Sequence, residues 1–139
     1  MSAFVIKAKV PDPDDRTMRF DAQKTMYGGK KIAAGDTIYI FASETEGGQG
    51  LIARGVVTEA TAVPKRLGVA RQTPRVNVTL DVTGRAKAAL GRTKLKAFSD
   101  WNDGRPETEL NFKFYRQATN KIGGISPETA NYLESYFVD

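Results

Sequence analysis

The sequence predicts an α+β fold that is mainly β: a small mixed β-barrel of five to six strands with short helices at its periphery. Short segments rich in Val, Ile, Phe and Thr recur with period-2 alternation, and Gly, Pro, Asn and Asp punctuate them. One of these segments, Thr37–Ala42, is apolar on both faces, as a strand covered on both sides must be. Helical signals are few and short. The chain of 139 residues reads as a single domain, 1–139, long enough to bury a core without staples.

The elements follow in order. Residues 3–10 place Phe4, Ile6, Ala8 and Val10 on one face and Lys7 and Lys9 on the other, a half-buried strand. Pro11 and Pro13 end it, because proline cannot donate to a ladder. The acids Asp12, Asp14 and Asp15 lack the spacing of a calcium loop and read as a turn. Residues 16–31 are mixed, with Phe20, Met26 and Tyr27 as apolar anchors and a turn at Gly28-Gly29.

In Thr37–Ala42, one face carries Ile38, Ile40 and Ala42 and the other Thr37, Tyr39 and Phe41. If the sheet closes, one set fills the barrel and the other lies under a helix or lines a pocket. Ser43 ends the strand. Residues 44–50 form a polar, glycine-rich hairpin loop, and 51–57 return as the partner strand, with Gly55 marking a bulge or close approach.

Residues 58–73 read as a long basic connection. Residues 75–82 alternate, Val76, Val78, Leu80 and Val82 against Asn77, Thr79 and Asp81. A helical turn is expected over 84–90 between Thr83 and Gly91, then a strand over 94–98. Residues 99–106 hold the only tryptophan, Trp101, which either pins its loop to the core or walls a ligand. Residues 111–115 alternate Phe112 and Phe114 with Lys113 and Tyr115, which predicts a strand. Ser126 as N-cap, Pro127 and Glu128 start a final helix that packs through Ala130, Leu133 and Phe137.

The sequence has no His and no Cys, which removes thiolate and imidazole metal sites and every His-dependent nucleophile. No metal or cofactor is expected, and an enzyme would have to work with Asp, Glu, Lys, Tyr or Arg. No apolar run is long enough to span a bilayer and no charged-then-apolar leader precedes residue 3, so the expectation is a cytoplasmic protein with no membrane partner. The net charge is +5, and residues 64–96 carry nine basic side chains against one acid, Asp81. Such a field attracts polyanions, although the same run also suits a solvated surface.

The densest functional signal follows residue 115. Arg116, Gln117, Thr119, Asn120 and Lys121 crowd together before Gly123-Gly124. Arg offers a rigid donor fork, Gln and Asn offer donors and acceptors, and neighbouring aromatic rings offer stacking, a set that suits a planar polar ligand. A solvated sheet end is the alternative.

This stretch, FYRQATNKIGGISPETANYLESYF, resembles the closing segment of the EVE and YTH group in the PUA-like superfamily. IAAGDTIYIFASETEGGQGLIARGVV resembles that group's Gly-Asp, strand, hairpin, strand pattern. The resemblance covers residues 33–57 and 112–137. It implies a PUA-like barrel that binds DNA or RNA and recognises one base, such as a methylated cytosine or adenine, in an aromatic pocket beside a basic surface. A base taken from a duplex would have to leave the stack.

Carried onto this chain, the resemblance puts Arg116, Gln117, Asn120 and Ser43 at the base. Tyr39, Phe41 and Tyr115 are aromatic candidates, with Trp101 added from its loop context. Lys65, Arg66, Arg71, Arg75 and Lys121 are the expected phosphate contacts. Two other functions stay open. One is an ASCH-like hydrolase of a modified nucleoside, using Lys24 or Lys30 with Glu44 or Glu46. The other is a barrel that binds an acidic protein.

Overall fold

A computed structural model describes residues 2–68, 72–117 and 119–137. Six strands close into a barrel: β1 Ala3–Ala8, β2 Thr17–Met26, β3 Thr37–Ala42, β4 Gly50–Ala62, β5 Arg75–Arg85 and β6 Lys121–Gly124. Their order around the barrel is β1-β3-β4-β5-β2-β6, with β1–β3 and β2–β6 parallel and the other pairs antiparallel. Closure removes the exposed sheet edges that would template aggregation. The helices are α1 Arg92–Leu95, α2 Pro106–Leu110 and α3 Pro127–Glu134. Among the described residues no helix is long and apolar enough to cross a membrane.

The alternating strands produce two cores. Phe4, Ile6, Ile38, Ile40, Ala53, Val57, Val78, Leu80 and Ile122 fill the barrel. Val5, Tyr39, Phe41 and Leu51 face outward under Leu95, Leu110, Phe114 and Leu133. The two faces of Thr37–Ala42 therefore divide as expected, one inside the barrel and one beneath the helices. Each large side chain fully buried in this way stabilises the fold by about 1.5–3 kcal/mol.

Residues 58–62, expected in the basic connection, instead extend β4 along β5 to Ala62, and Lys121–Gly124, where no strand was expected, forms β6. Four other segments also differ from the sequence reading, each for a local reason. Residues 111–115 are not a strand: α2 runs directly into a π-helical turn, Asn111–Tyr115, closed by the Arg116 N–H donating to the Asn111 carbonyl at 2.7 Å. Pro106 at the first position, acids in the first turn and the Glu109–Lys113 pair at 2.7 Å start this helix upstream. Alternation over so few residues does not separate period 2 from period 3.6. Residues 84–90 form no helix, because Gly84 and Arg85 extend β5 against β4. Beyond them the Ala86 N–H donates to Ile52, and Leu90 accepts from Leu51.

Residues 94–98 are not a strand but overlap the end of the short α1, which buries Leu95. The mixed stretch at 17–26 is a strand whose alternation is broken by a bulge between Phe20 and Gln23. Ala22 there takes φ 52° and its N–H donates to the Asn77 side chain at 2.7 Å. The extra residue shifts the inward parity, so Met18 and Phe20 are buried but Thr25, rather than Lys24, follows them.

Candidate functional site

A small cleft of about 140 Å³ opens where β1, β3, the loop after β3 and the π-helical turn meet, lined by Lys7, Ser43, Glu44, Thr45, Arg92, Tyr115 and Arg116. Parallel pairing sets Lys7 beside Phe41 and Ala8 beside Ala42, and the Ser43 N–H continues the ladder by donating to the Ala8 carbonyl at 2.8 Å. Residues Glu44–Glu46 then make a 3₁₀ turn, which places Ser43 Oγ 3.0 Å from Thr45 Oγ1. Gly123 lets the helix approach from the other side: a Cβ there would lie 3.1 Å from the Phe114 ring. Phe114 packs onto the sheet, and the wider π turn carries Tyr115 and Arg116 to the cleft. Widened turns of this kind recur at functional sites.

Glu44 organises the floor. One carboxylate oxygen accepts the Tyr115 hydroxyl at 3.0 Å and the other accepts the Arg92 N–H at 2.7 Å. Burial, the Glu44 charge and that hydrogen bond push the Tyr115 phenol well above its ordinary range, so it remains a neutral donor. The Lys7 ammonium donates to the Phe114 carbonyl at 2.7 Å and lies 4.9 Å from the Tyr115 ring centre. A cation suits the carbonyl end of a helix. Burial nonetheless holds the Lys7 amine below its ordinary range, with Glu44 raising it and Arg92 lowering it.

The cleft wall carries Lys7, Arg92 and Arg116 against Glu44 alone, so it is cationic. Lys121 adds to this field from behind. Burial, then Lys7 and Arg116, push its amine down to about 8.

Of the residues expected at a base, Ser43, Tyr115 and Arg116 line this cleft. Phe41 is 1 % exposed and packs edge-on against Tyr115 at 6.3 Å, behind the wall rather than in it. Tyr39 is buried elsewhere, its hydroxyl bonded to Glu134 under α3. Gln117 is exposed beyond the cleft, and Asn120 is half-buried with its carbonyl oxygen unpaired among the described residues. Trp101 lines a different cleft.

Of the expected phosphate contacts, Lys65 and Arg66 are exposed on the β4–β5 connection. Arg75 is also exposed and donates to the Ala22 carbonyl at 2.7 Å. Lys121, expected at the surface, is 1 % exposed, because the face of β6 it occupies is roofed by the helical layer. Arg71 lies outside the described residues.

Lys7, Thr45 and Arg92 escaped the sequence reading, and Glu44 entered it only as a hydrolase candidate. A lysine opposite an apolar stripe looks solvated until a second layer covers it. Lys24 and Lys30 do not line the cleft with Glu44, and Glu46 is exposed.

No family model matches this chain, and no curated protein matches it in sequence. Solved structures do match in fold. Human THYN1, in complex with 5-methylcytosine-containing DNA, is 14% identical with a TM-score of 0.64, over 97% of this chain and 96% of that one. A hypothetical protein from Leishmania major is 14% identical with a TM-score of 0.65, over 97% and 93%. The DUF55 domain of human thymocyte nuclear protein 1 is 12% identical with a TM-score of 0.64, over 96% and 97%. The chain therefore shares the closed mixed-barrel fold of these solved structures.

Proposed function

We propose that this chain is a nucleic-acid-binding module that reads one base, a modified cytosine first among the candidates, in the Lys7–Ser43–Glu44–Tyr115 cleft. The observation that carries this reading is the cleft's chemistry. Ammonium, hydroxyl and carboxylate groups converge beside a single aromatic ring in a cationic space smaller than a drug-sized pocket. A carboxylate accepts from an exocyclic amine of cytosine, and lysine and hydroxyl groups donate to ring oxygens and nitrogens. Lys7 keeps donors beyond the one it gives to Phe114. Arg116 and Arg92 at the rim suit the phosphates that flank an extruded base. THYN1, which shares this fold, is seen with 5-methylcytosine-containing DNA, and that supports cytosine as the first base to test.

The test is binding of matched DNA and RNA oligonucleotides carrying cytosine, 5-methylcytosine, 5-hydroxymethylcytosine or N6-methyladenine at near-physiological salt. Selective binding to one modified member, lost in Lys7→Met, is the expected result. Equal, salt-sensitive binding to every member in both proteins would overturn base reading.

One observation favours a second reading as a nucleoside hydrolase. Lys7, an amine depressed by burial, shares its cleft with Glu44, as a general base and its partner would. Product formation from a modified nucleoside would select this reading; a ligand recovered unchanged favours the binding module.

A further inference from the structure

We propose that the cleft walled by Trp101 is a second subsite, which stacks the base next to the one held in the Lys7 cleft; this rests on the nucleic-acid reading above. The second cleft encloses about 420 Å³, and Trp101, Arg105, Phe112 and Glu128 are among its walls. Trp101 is 43% exposed and meets Phe112 edge-on at 5.4 Å, so much of its ring remains available. Its loop is braced. Asp100 accepts the Asn102 N–H at 3.2 Å, and Asp103 accepts the Arg105 N–H at 3.0 Å.

Arg116 joins the two clefts. It lines the Lys7 cleft while its guanidinium stacks 4.0 Å over the Phe112 ring, which walls the Trp101 cleft. Both sites also share one helical stretch. Thr108, Glu109 and Phe112 face the second cleft, and Tyr115 and Arg116 face the first. Phe112 and Arg116 lie four positions apart on that stretch, about one turn, so the two clefts adjoin.

Charge selects which part of a nucleotide fits. Glu109 is already paired with Lys113 at 2.7 Å, and Glu128 is a second carboxylate lining the cleft. A phosphate is poorly placed among two carboxylates, whereas the uncharged face of a base suits an exposed indole. Stacking of this kind tolerates any base, so the second subsite contributes affinity and register while the first discriminates.

Because Trp101 is the only tryptophan, its fluorescence reports on this cleft alone. The full chain is titrated with 5-methyldeoxycytidine and with a short single strand carrying 5-methylcytosine, intact or with an abasic residue on either side of it. The expected result is that the intact strand quenches Trp101, whereas the nucleoside competes for the first cleft without quenching. An abasic neighbour on one side then abolishes quenching and weakens binding roughly 5- to 100-fold. Trp101→Ala matches that loss and Trp101→Phe largely restores affinity. Intact strands that bind with Lys7-dependent selectivity, yet leave Trp101 unquenched and ignore abasic neighbours, would overturn the subsite alone. If neither strand nor nucleoside binds, the nucleic-acid reading falls and the subsite falls with it.

Discussion

Lys7 and Lys121 stand directly opposite one another across the antiparallel pair of β1 and β6, 3% and 1% exposed. Like charges in that relationship destabilise a sheet, and burial adds a desolvation cost to each. Under the function proposed above, a nucleic-acid phosphate at the Lys7 cleft would offset part of that cost.

The pair predicts an unusual pH dependence. The Lys121 amine is pushed from its ordinary 10.5 down to about 8. Between those values the unfolded chain binds more protons than the folded one, so this group's contribution to stability rises with pH from about 8 to about 10.5. Below pH 8 its full cost applies. Lys121→Met is expected to stabilise the free protein by up to about 3 kcal/mol at pH 7. The gain should shrink towards pH 10.5, as followed by urea unfolding across that range. A gain that does not change with pH would assign the effect to packing.

Phe41 and Tyr115 touch, yet they separate structure from recognition. Phe41→Ala removes a buried ring behind the wall and should cost about 3–5 kcal/mol of stability. Any folded fraction should bind as the parent does. Tyr115→Phe deletes only the hydroxyl that Glu44 accepts, and should cost about 1 kcal/mol. It should also weaken base selectivity, because Glu44 loses the donor that orients it. Melting curves together with oligonucleotide titrations distinguish the two. Equal binding losses in both would mean that the ring pair acts as one unit.

Glu109 ties α2 to α3. Its carboxylate accepts from the Lys113 ammonium, from the Ser126 hydroxyl at 2.6 Å and from the Thr129 hydroxyl. Burial pushes its pKa up, but these donors outweigh it and the net shift is downward. The stability it contributes is therefore present above its unfolded pKa and lost as pH falls through the lower, folded one. Glu109→Gln should destabilise the protein by about 1–3 kcal/mol at pH 7. It should also flatten the acid limb of the pH–stability curve. An unchanged acid limb would place the acid-sensitive group elsewhere.

Lys65 and Arg66 sit on the exposed connection between β4 and β5, with the Arg66 backbone braced by the Gln72 amide at 3.1 and 2.9 Å. Reversing both charges should weaken binding of modified and unmodified strands alike. If each contacts one phosphate, the slope of log K against log salt should fall by about 2. A loss confined to the modified strand would place these residues at the base.

The strands β1, β3 and β5, the first half of β4 and the capped α3 are legible because each carries its own periodicity, caps or turn residues. The bulge in β2 hid that strand by switching its parity at Ala22. Ser43, Tyr115 and Arg116 were found at the cleft because they cluster near strand ends and a polar run. Lys7 was passed over because its neighbours Phe4, Ile6 and Ala8 describe only the inner face of β1.

The sequence by itself determined a small, mainly β barrel with a final capped helix, and it excluded thiolate and imidazole chemistry outright. Tertiary structure decided the rest. Alternation states that a strand has two faces, but not what covers the outer one. Here the helical layer that includes Leu95, Leu110, Phe114 and Leu133 covers it. That second layer buries Lys7 and Lys121, turns residues 111–115 from strand to helix, and sets Trp101 in a cleft apart from Ser43 and Tyr115. Burial and charge proximity arise only between segments distant in the chain, so no local pattern could carry them.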